Sequence, residues 1–149
     1  MTSGSDDKLA RARAMGADET INHTGIDVGR EVRERTGKRG VNVVVDSVGA
    51  ATWEQSLGAL GRAGRLVTCG GTSGHALQTD VRRLFWNQWT IMGSTMGSDA
   101  DFDAVVGELV AGRLSLPVDS TFPLERGREA LARLQSGAQF GKVVLQVSG

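Results

Sequence analysis

VNVVVDSVGAATWEQSLGALGRAGRLVTCGGTSG, residues 41–74, decides how the chain folds. Val41 to Gly49 is a β-branched run that closes on Asp-Ser-Val-Gly. Apolar side chains at successive positions, without polar alternation, predict a strand buried on both faces. Thr52 and Gln55 stand at capping-box spacing. Trp53, Leu57 and Leu60 then share a helical face, with Trp53 read as a core residue, and Gly61 ends the helix. Gly64 to Gly74 reads as a second buried strand that runs into a glycine-rich turn. Strand, helix and strand in this order predict a parallel pair with a crossover helix.

The same alternation extends in both directions. Ser5 is placed to cap a helix, with Asp6 and Asp7 in its first turn. Leu9, Ala12 and Met15 recur on one face, and Gly16 stops it. Glu19 to Asn22 is a short apolar element; Met1 to Gly4 are too few for a buried strand before the helix. Asp27 caps a helix carrying Val28 and Val32; its Glu31 and Arg35 are spaced for an ion pair, or form simply a solvated face, the preferred reading. Beyond residue 74, Thr90 to Ser98 predicts a third strand. Ser98 and Asp101 cap a helix with an apolar stripe of Phe102, Val105, Val106, Leu109 and Val110. Gly112 stops it, and Pro117 and Pro123 punctuate an extended piece. Glu125 to Ser136 predicts a helix with Ala130, Leu131 and Leu134 facing in. Lys142 to Val147 closes as a buried strand. No repeat, low-complexity segment or linker interrupts residues 1–149. The predicted fold class is α/β, a parallel sheet with helices on both faces.

Composition excludes several function classes. Seventeen basic side chains balance seventeen acidic ones, so there is no electrostatic footprint for nucleic acid or an acidic membrane. A single cysteine, Cys69, cannot form an internal disulfide and suits a reducing, cytoplasmic compartment. No apolar run is long enough to span a bilayer, and no signal-peptide pattern follows Met1.

Ligands of open parallel sheets bind beyond the carboxyl ends of the strands. Those positions are Ser47 to Gly49, Gly70 to Gly74 and Ser94 to Gly97, three small, glycine-rich turns. Glycines there either make tight turns or let a phosphate-bearing ligand approach backbone N–H groups. Three such turns at one sheet edge favour a nucleotide site. Cys69 reads as a buried small hydrophobe. His23, His75 and Cys69 have no metal-binding spacing, and no Ser/His/Asp arrangement is evident. No catalytic residue and no metal ligand is therefore assigned.

The ordered series ARAMGADETIN, VVVDSVG, EQSLGALGRAGRLVTCGGTSG, IMGSTMGS and FGKVVL resembles the medium-chain dehydrogenase/reductase superfamily. Within it, the series is most similar to zinc-type alcohol dehydrogenase-like and quinone oxidoreductase-like proteins. The resemblance covers essentially the whole chain. It implies an incomplete Rossmann-like sheet, the carboxy-terminal part of an NAD(P)-binding domain, without the first strand, the phosphate loop or the second strand. No G-x-G-x-x-G occurs. The implied function is the cofactor-binding portion of an oxidoreductase that performs hydride transfer with NADP or NAD. The isolated chain is expected to bind cofactor weakly or not at all, and to hold no zinc. The alternative is a standalone, non-catalytic binding or assembly module.

The strand order of the family leads to two structural expectations. Val43 to Val45 should expose an unpaired edge. The strands at Val41, Gly64, Thr90 and Lys142 should form the stable remainder, with residues up to about Gly40 displaced, disordered or paired with another copy. The resemblance also implies a homodimer through Thr90 to Ser94.

Carried onto this sequence, the family's cofactor positions fall as follows. Ser5 lies in an opening stretch with no carboxylate before Asp6, as in NADP-preferring members. Lys8 matches a lysine that contacts the 2′-phosphate, or is an exposed helix lysine; Arg11 is a nearby second cation. His23 stands where relatives have a tyrosine. Ser47, Val48 and Gly49 match the adenine-ribose side. Gly70, Gly71, Thr72 and Ser73 match the nicotinamide ribose, and Ser94, Thr95 and Met96 the nicotinamide. Lys142 matches a cation near the phosphates, or is a strand-edge lysine.

Overall fold

The structure, a computed structural model, describes residues 1–147. The chain forms two compact units, residues 1–96 and 97–149.

The first unit holds two parallel sheets. β1 (Thr2–Ser3) pairs with β2 (Ile21–Asn22), with Thr2 opposite Ile21 and Ser3 opposite Asn22. Met1 to Gly4, expected to be too few for a buried strand, supply this two-residue strand, and neither of its residues is buried. Ile21 N–H donates to Met1 O at 2.9 Å and His23 N–H to Ser3 O at 3.0 Å, so even two residues complete a rung of ladder. Between these strands runs α1 (Asp6–Ala14), capped by the Ser5 side chain and burying Leu9 and Ala12. Met15, expected on the same face, is half exposed. The helix stops where Gly16 N–H donates to Arg13 O and Ala17 N–H to Ala12 O.

α2 (Val28–Arg35) is capped by Asp27. β3 (Val41–Asp46), β4 (Leu60–Thr68) and β5 (Thr90–Gly93) form the second sheet in the order β3-β4-β5, all parallel. α3 (Trp53–Ala59) connects the first two strands and α4 (Val81–Trp86) the second pair. Leu60, expected on the helix, instead opens β4 and is fully buried. The core beneath this sheet is Trp53, Leu57, Leu60, Leu66 and Trp89, with Val44, Leu84 and Ile91 against it.

Residues before Gly40 belong to the first compact unit rather than to a displaced segment, which corrects that part of the expectation. α2 lies against α3. Val28 N–H donates to Gln55 Oε1 at 2.9 Å, and Arg33 donates from Nε to Gly58 O at 3.0 Å and from Nη2 to Leu60 O at 2.6 Å. The absence of a side chain at Gly29 permits this approach, since a Cβ there would stand 2.7 Å from Gln55 O. The expected open edge is present: among the described residues β3 pairs only with β4. Val43 and Val45 are 51% and 72% exposed, so β3 is not buried on both faces.

The second unit contains α5 (Asp99–Val110), β6 (Val118–Pro123), a 3-10 turn at Leu124–Arg126, α6 (Gly127–Gln135) and β7 (Lys142–Gln146). β7 pairs in parallel with β6, with Val118 opposite Lys142 and Phe122 opposite Leu145. Ser98 and Asp101 close a complete capping box on α5. The apolar stripes predicted to face in are largely exposed: Phe102, Val105 and Val110 on α5, and Leu131 and Leu134 on α6. Of the α6 set, Ala130 alone is buried. β7 is mostly exposed as well.

Candidate functional site

The turns after β3 and β4 are built as one piece. Asp46, the last residue of β3, is 4% exposed. Its Oδ1 accepts the backbone N–H groups of Val48 and Gly49 at 2.8 and 3.0 Å. Its Oδ2 accepts the hydroxyls of Thr52 and Ser56 at 2.8 and 2.7 Å. Burial by itself would raise its pKa. The hydrogen bonds from Gly49, Ser56, Thr52 and Val48 outweigh burial and hold the carboxyl below its ordinary value.

Thr52 is drawn to Asp46 and makes no side-chain cap on α3, while Gln55 is drawn to Val28. The capping box expected from their spacing is therefore not formed.

The second turn is hung on the first. Cys69 N–H donates to Asp46 O at 3.1 Å, Ser73 N–H to Val48 O at 2.8 Å, and Ala50 N–H to Gly74 O at 3.1 Å. The Ser73 hydroxyl donates to Val48 O at 2.7 Å and accepts from Ala51 N–H at 2.9 Å. Gly49 has φ +86°, and a Cβ there would meet Gly74 O at 2.5 Å. At Gly70 a Cβ would meet Ser47 O at 2.8 Å. These glycines let the two turns approach one another, and the space beside them is filled by the neighbouring turn. Beyond β5, Ser94 N–H donates to Thr68 O at 2.9 Å, which ties the third turn to the end of β4.

The structure thus brings together Ser47, Val48, Gly49, Gly70, Gly71 and Ser73, and links Ser94 to the same sheet end. Ser47, Thr72, Ser94 and Thr95 are exposed hydroxyl residues, and Met96 is 94% exposed with φ +42°. Cys69 is exposed, not buried as expected.

A second group gathers where β1 and β2 end. The Ser5 side chain accepts Lys8 N–H at 3.4 Å, and Lys8 is half-buried on α1. His23 is exposed beside Gly4, whose Cβ would stand 3.1 Å from His23 Nε2. Asp6, the first carboxylate after β1, accepts from Asn22 Nδ2 at 2.7 Å. Lys142 opens β7 in the second unit, its N–H donating to Pro117 O at 2.9 Å.

Sequence reasoning missed Asp46 and the two hydroxyls that hold it. The available signal was a carboxylate at the end of a run of valines, a position that burial penalises unless donors meet it.

Among the described residues no three His, Cys, Asp or Glu side chains form a metal-binding group, and no helix is long and apolar enough to cross a membrane.

Comparison with known proteins agrees with the topology. The family profile described as zinc-binding dehydrogenase matches residues 1–111. A 2-haloacrylate reductase from Burkholderia sp. is 31% identical over 97% of this chain and 46% of its own length. A quinone oxidoreductase from Pseudomonas aeruginosa is 31% identical over 97% of this chain and 47% of its own. The crystal structure of an NAD-dependent alcohol dehydrogenase superposes with a TM-score of 0.90 at 40% identity, covering 99% of this chain and 43% of that one. The chain therefore spans about half the length of the relatives it matches, and its fold is part of a Rossmann architecture. It belongs to the zinc-binding dehydrogenase family of the medium-chain dehydrogenase/reductase superfamily.

Proposed function

We propose that this chain is the cofactor-binding portion of an NAD(P)-dependent oxidoreductase of alcohol dehydrogenase or quinone oxidoreductase type, with NADP preferred. The observation that carries the reading is the pair of interlocked turns after β3 and β4, with Ser94 tied to the same sheet end.

The donor chemistry fits a nicotinamide dinucleotide. The exposed hydroxyls of Ser47, Thr72, Ser94 and Thr95 are neutral groups suited to ribose and carboxamide, and Asp46 is sequestered by its own donors. Ser5, Lys8 and His23 supply hydroxyl, ammonium and imidazole donors where β1 and β2 end, suited to a 2′-phosphate on the adenosine ribose. Asp6, held by Asn22, lies beyond Ser5 and not at the strand end. Hydride transfer is the chemistry that a bound nicotinamide supplies. The residues of this chain hold and orient the cofactor, and among the described residues no side chains form a metal-binding group. The outer edge of β5, unpaired among the described residues, supports a homodimer through Thr90 to Ser94. We place the protein in the cytoplasm, in keeping with its single free cysteine.

The test is a two-dimensional amide NMR titration of the chain with NADP+ and, separately, NAD+. Weak, saturable binding is expected, with Kd above about 100 μM and shifts confined to Ser5, Lys8, Ser47, Gly49, Thr72 and Ser94. The absence of localised shifts with either nucleotide would overturn the reading in favour of a non-catalytic module.

A further inference from the structure

We propose that Asp46 is a positioning residue for the nucleotide site: its buried carboxylate sets the shape of the turn after β3 and, through it, the turn after β4. The inference rests on the cofactor reading above and adds a residue to it that touches no ligand.

A carboxylate that is 4% exposed has been taken from water. The four donors to its carboxylate, two backbone N–H groups and two hydroxyls, are all neutral. Burying a charge against neutral donors is a poor route to stability, because an apolar residue of similar size avoids the desolvation cost. What the arrangement does supply is shape. Two N–H bonds to one oxygen fold residues 47–49 back over the strand end, and Gly49 adopts the positive φ that this fold requires. Val48 O is thereby presented to Ser73, and Asp46 O to Cys69. The other oxygen fixes the first turns of α3 through Thr52 and Ser56. One side chain therefore sets the register of two ligand-facing turns and the helix between them. Such preorganisation by groups behind the ligand-facing residues is what a site needs to bind without paying for its own ordering.

The experiment compares the unsubstituted chain with Asp46→Asn and Thr52→Val. Asn keeps an acceptor for the two N–H groups but presents an NH2 to two hydroxyl donors. Thr52→Val removes one hydroxyl and leaves the carboxylate. Residue-resolved hydrogen exchange is measured first, then the NADP+ titration by amide NMR. In Asp46→Asn, exchange at Val48, Gly49, Cys69 and Ser73 is expected to rise about tenfold while Leu66 in the core is unchanged, with NADP+ affinity falling by about the same factor. Thr52→Val should show the same pattern at smaller amplitude.

Wild-type protection of Cys69 and Ser73 in both variants would overturn the coupling. Looser turns with unchanged NADP+ affinity would overturn the positioning role. A lack of nucleotide-induced shifts in the unsubstituted chain would remove the cofactor reading itself, a result visible without either variant.

Discussion

Gln55 Oε1, on α3, accepts the backbone N–H of Val28, the first residue of α2, at 2.9 Å. A helix start leaves N–H groups without internal partners. Asp27 meets one of them, at Arg30, and a side chain from the neighbouring helix meets another. The link joins the part of the chain before β3 to the sheet that follows. Gln55→Ala should therefore lower stability by about 1 kcal/mol, with Gln55→Glu retaining most of it. Urea denaturation followed by tryptophan fluorescence reads both; equal losses in the two variants would mean that the acceptor is not what matters.

Gly40 offers a sharper contrast. It has φ +78°, and a Cβ there would lie 2.6 Å from Gly61 N and 2.7 Å from Ala59 O, both rigid backbone. Gly37 has φ +59°, but a Cβ there meets nothing within 4 Å. Gly37→Ala should cost only the left-handed backbone penalty, about 1 kcal/mol. Gly40→Ala adds a clash between β4 and the turn before β3, so its cost should be about 3 kcal/mol or more. The two midpoints, measured side by side, separate conformational strain from crowding.

The second unit carries its own polar clasp. Arg133 donates from Nε and Nη2 to the two oxygens of Asp119, both at 2.9 Å, and Phe140 N–H adds a bond at 3.0 Å. The Asp119 side chain is 5% exposed, and Arg133 first, then Phe140, hold its carboxyl well below the usual range. A folded-state pKa below the unfolded one means that the native state binds fewer protons. The stabilisation is then fully present above the unfolded value, about pH 4, and is lost as pH falls toward the folded one. Asp119→Asn should weaken protection of β7 and α6 amides at pH 7. The gap between variant and wild type should close progressively below about pH 4. Hydrogen exchange across that range checks the sign: a gap that widened on acidification would contradict it.

Caps at Ser5, Asp27 and Ser98 were legible because each needs only its own helix's first turn, and all three form. Thr52 and Gln55 have the same kind of spacing, yet Asp46 and Val28 compete for them across the fold, and tertiary partners win. Leu131, Leu134, Phe102 and Val110 mark apolar helix faces correctly in period but not in burial. Periodicity reports that a face wants a partner, not that one lies within the described residues. α4, six residues with no buried position, left too short a pattern to be read. The turns were legible from their glycines. Their mutual lacing through Val48, Ser73 and Gly74 was not, since it depends on which two turns the sheet places side by side.

Lys8 tests the proposed cofactor preference. It sits on α1 one turn past the Ser5 cap. A charge-assisted contact to a 2′-phosphate distinguishes NADP+ from NAD+, because NAD+ has only hydroxyls at that position. Lys8→Gln should weaken NADP+ binding about tenfold and leave NAD+ binding within about twofold. Lys8→Arg, which keeps the positive charge, should restore most of the NADP+ affinity. Amide NMR titrations with both nucleotides give the ratio directly. A variant that lost both nucleotides equally would place Lys8 in the fold of α1 and not at the phosphate. A variant that lost neither would leave Arg11 as the cation to substitute next.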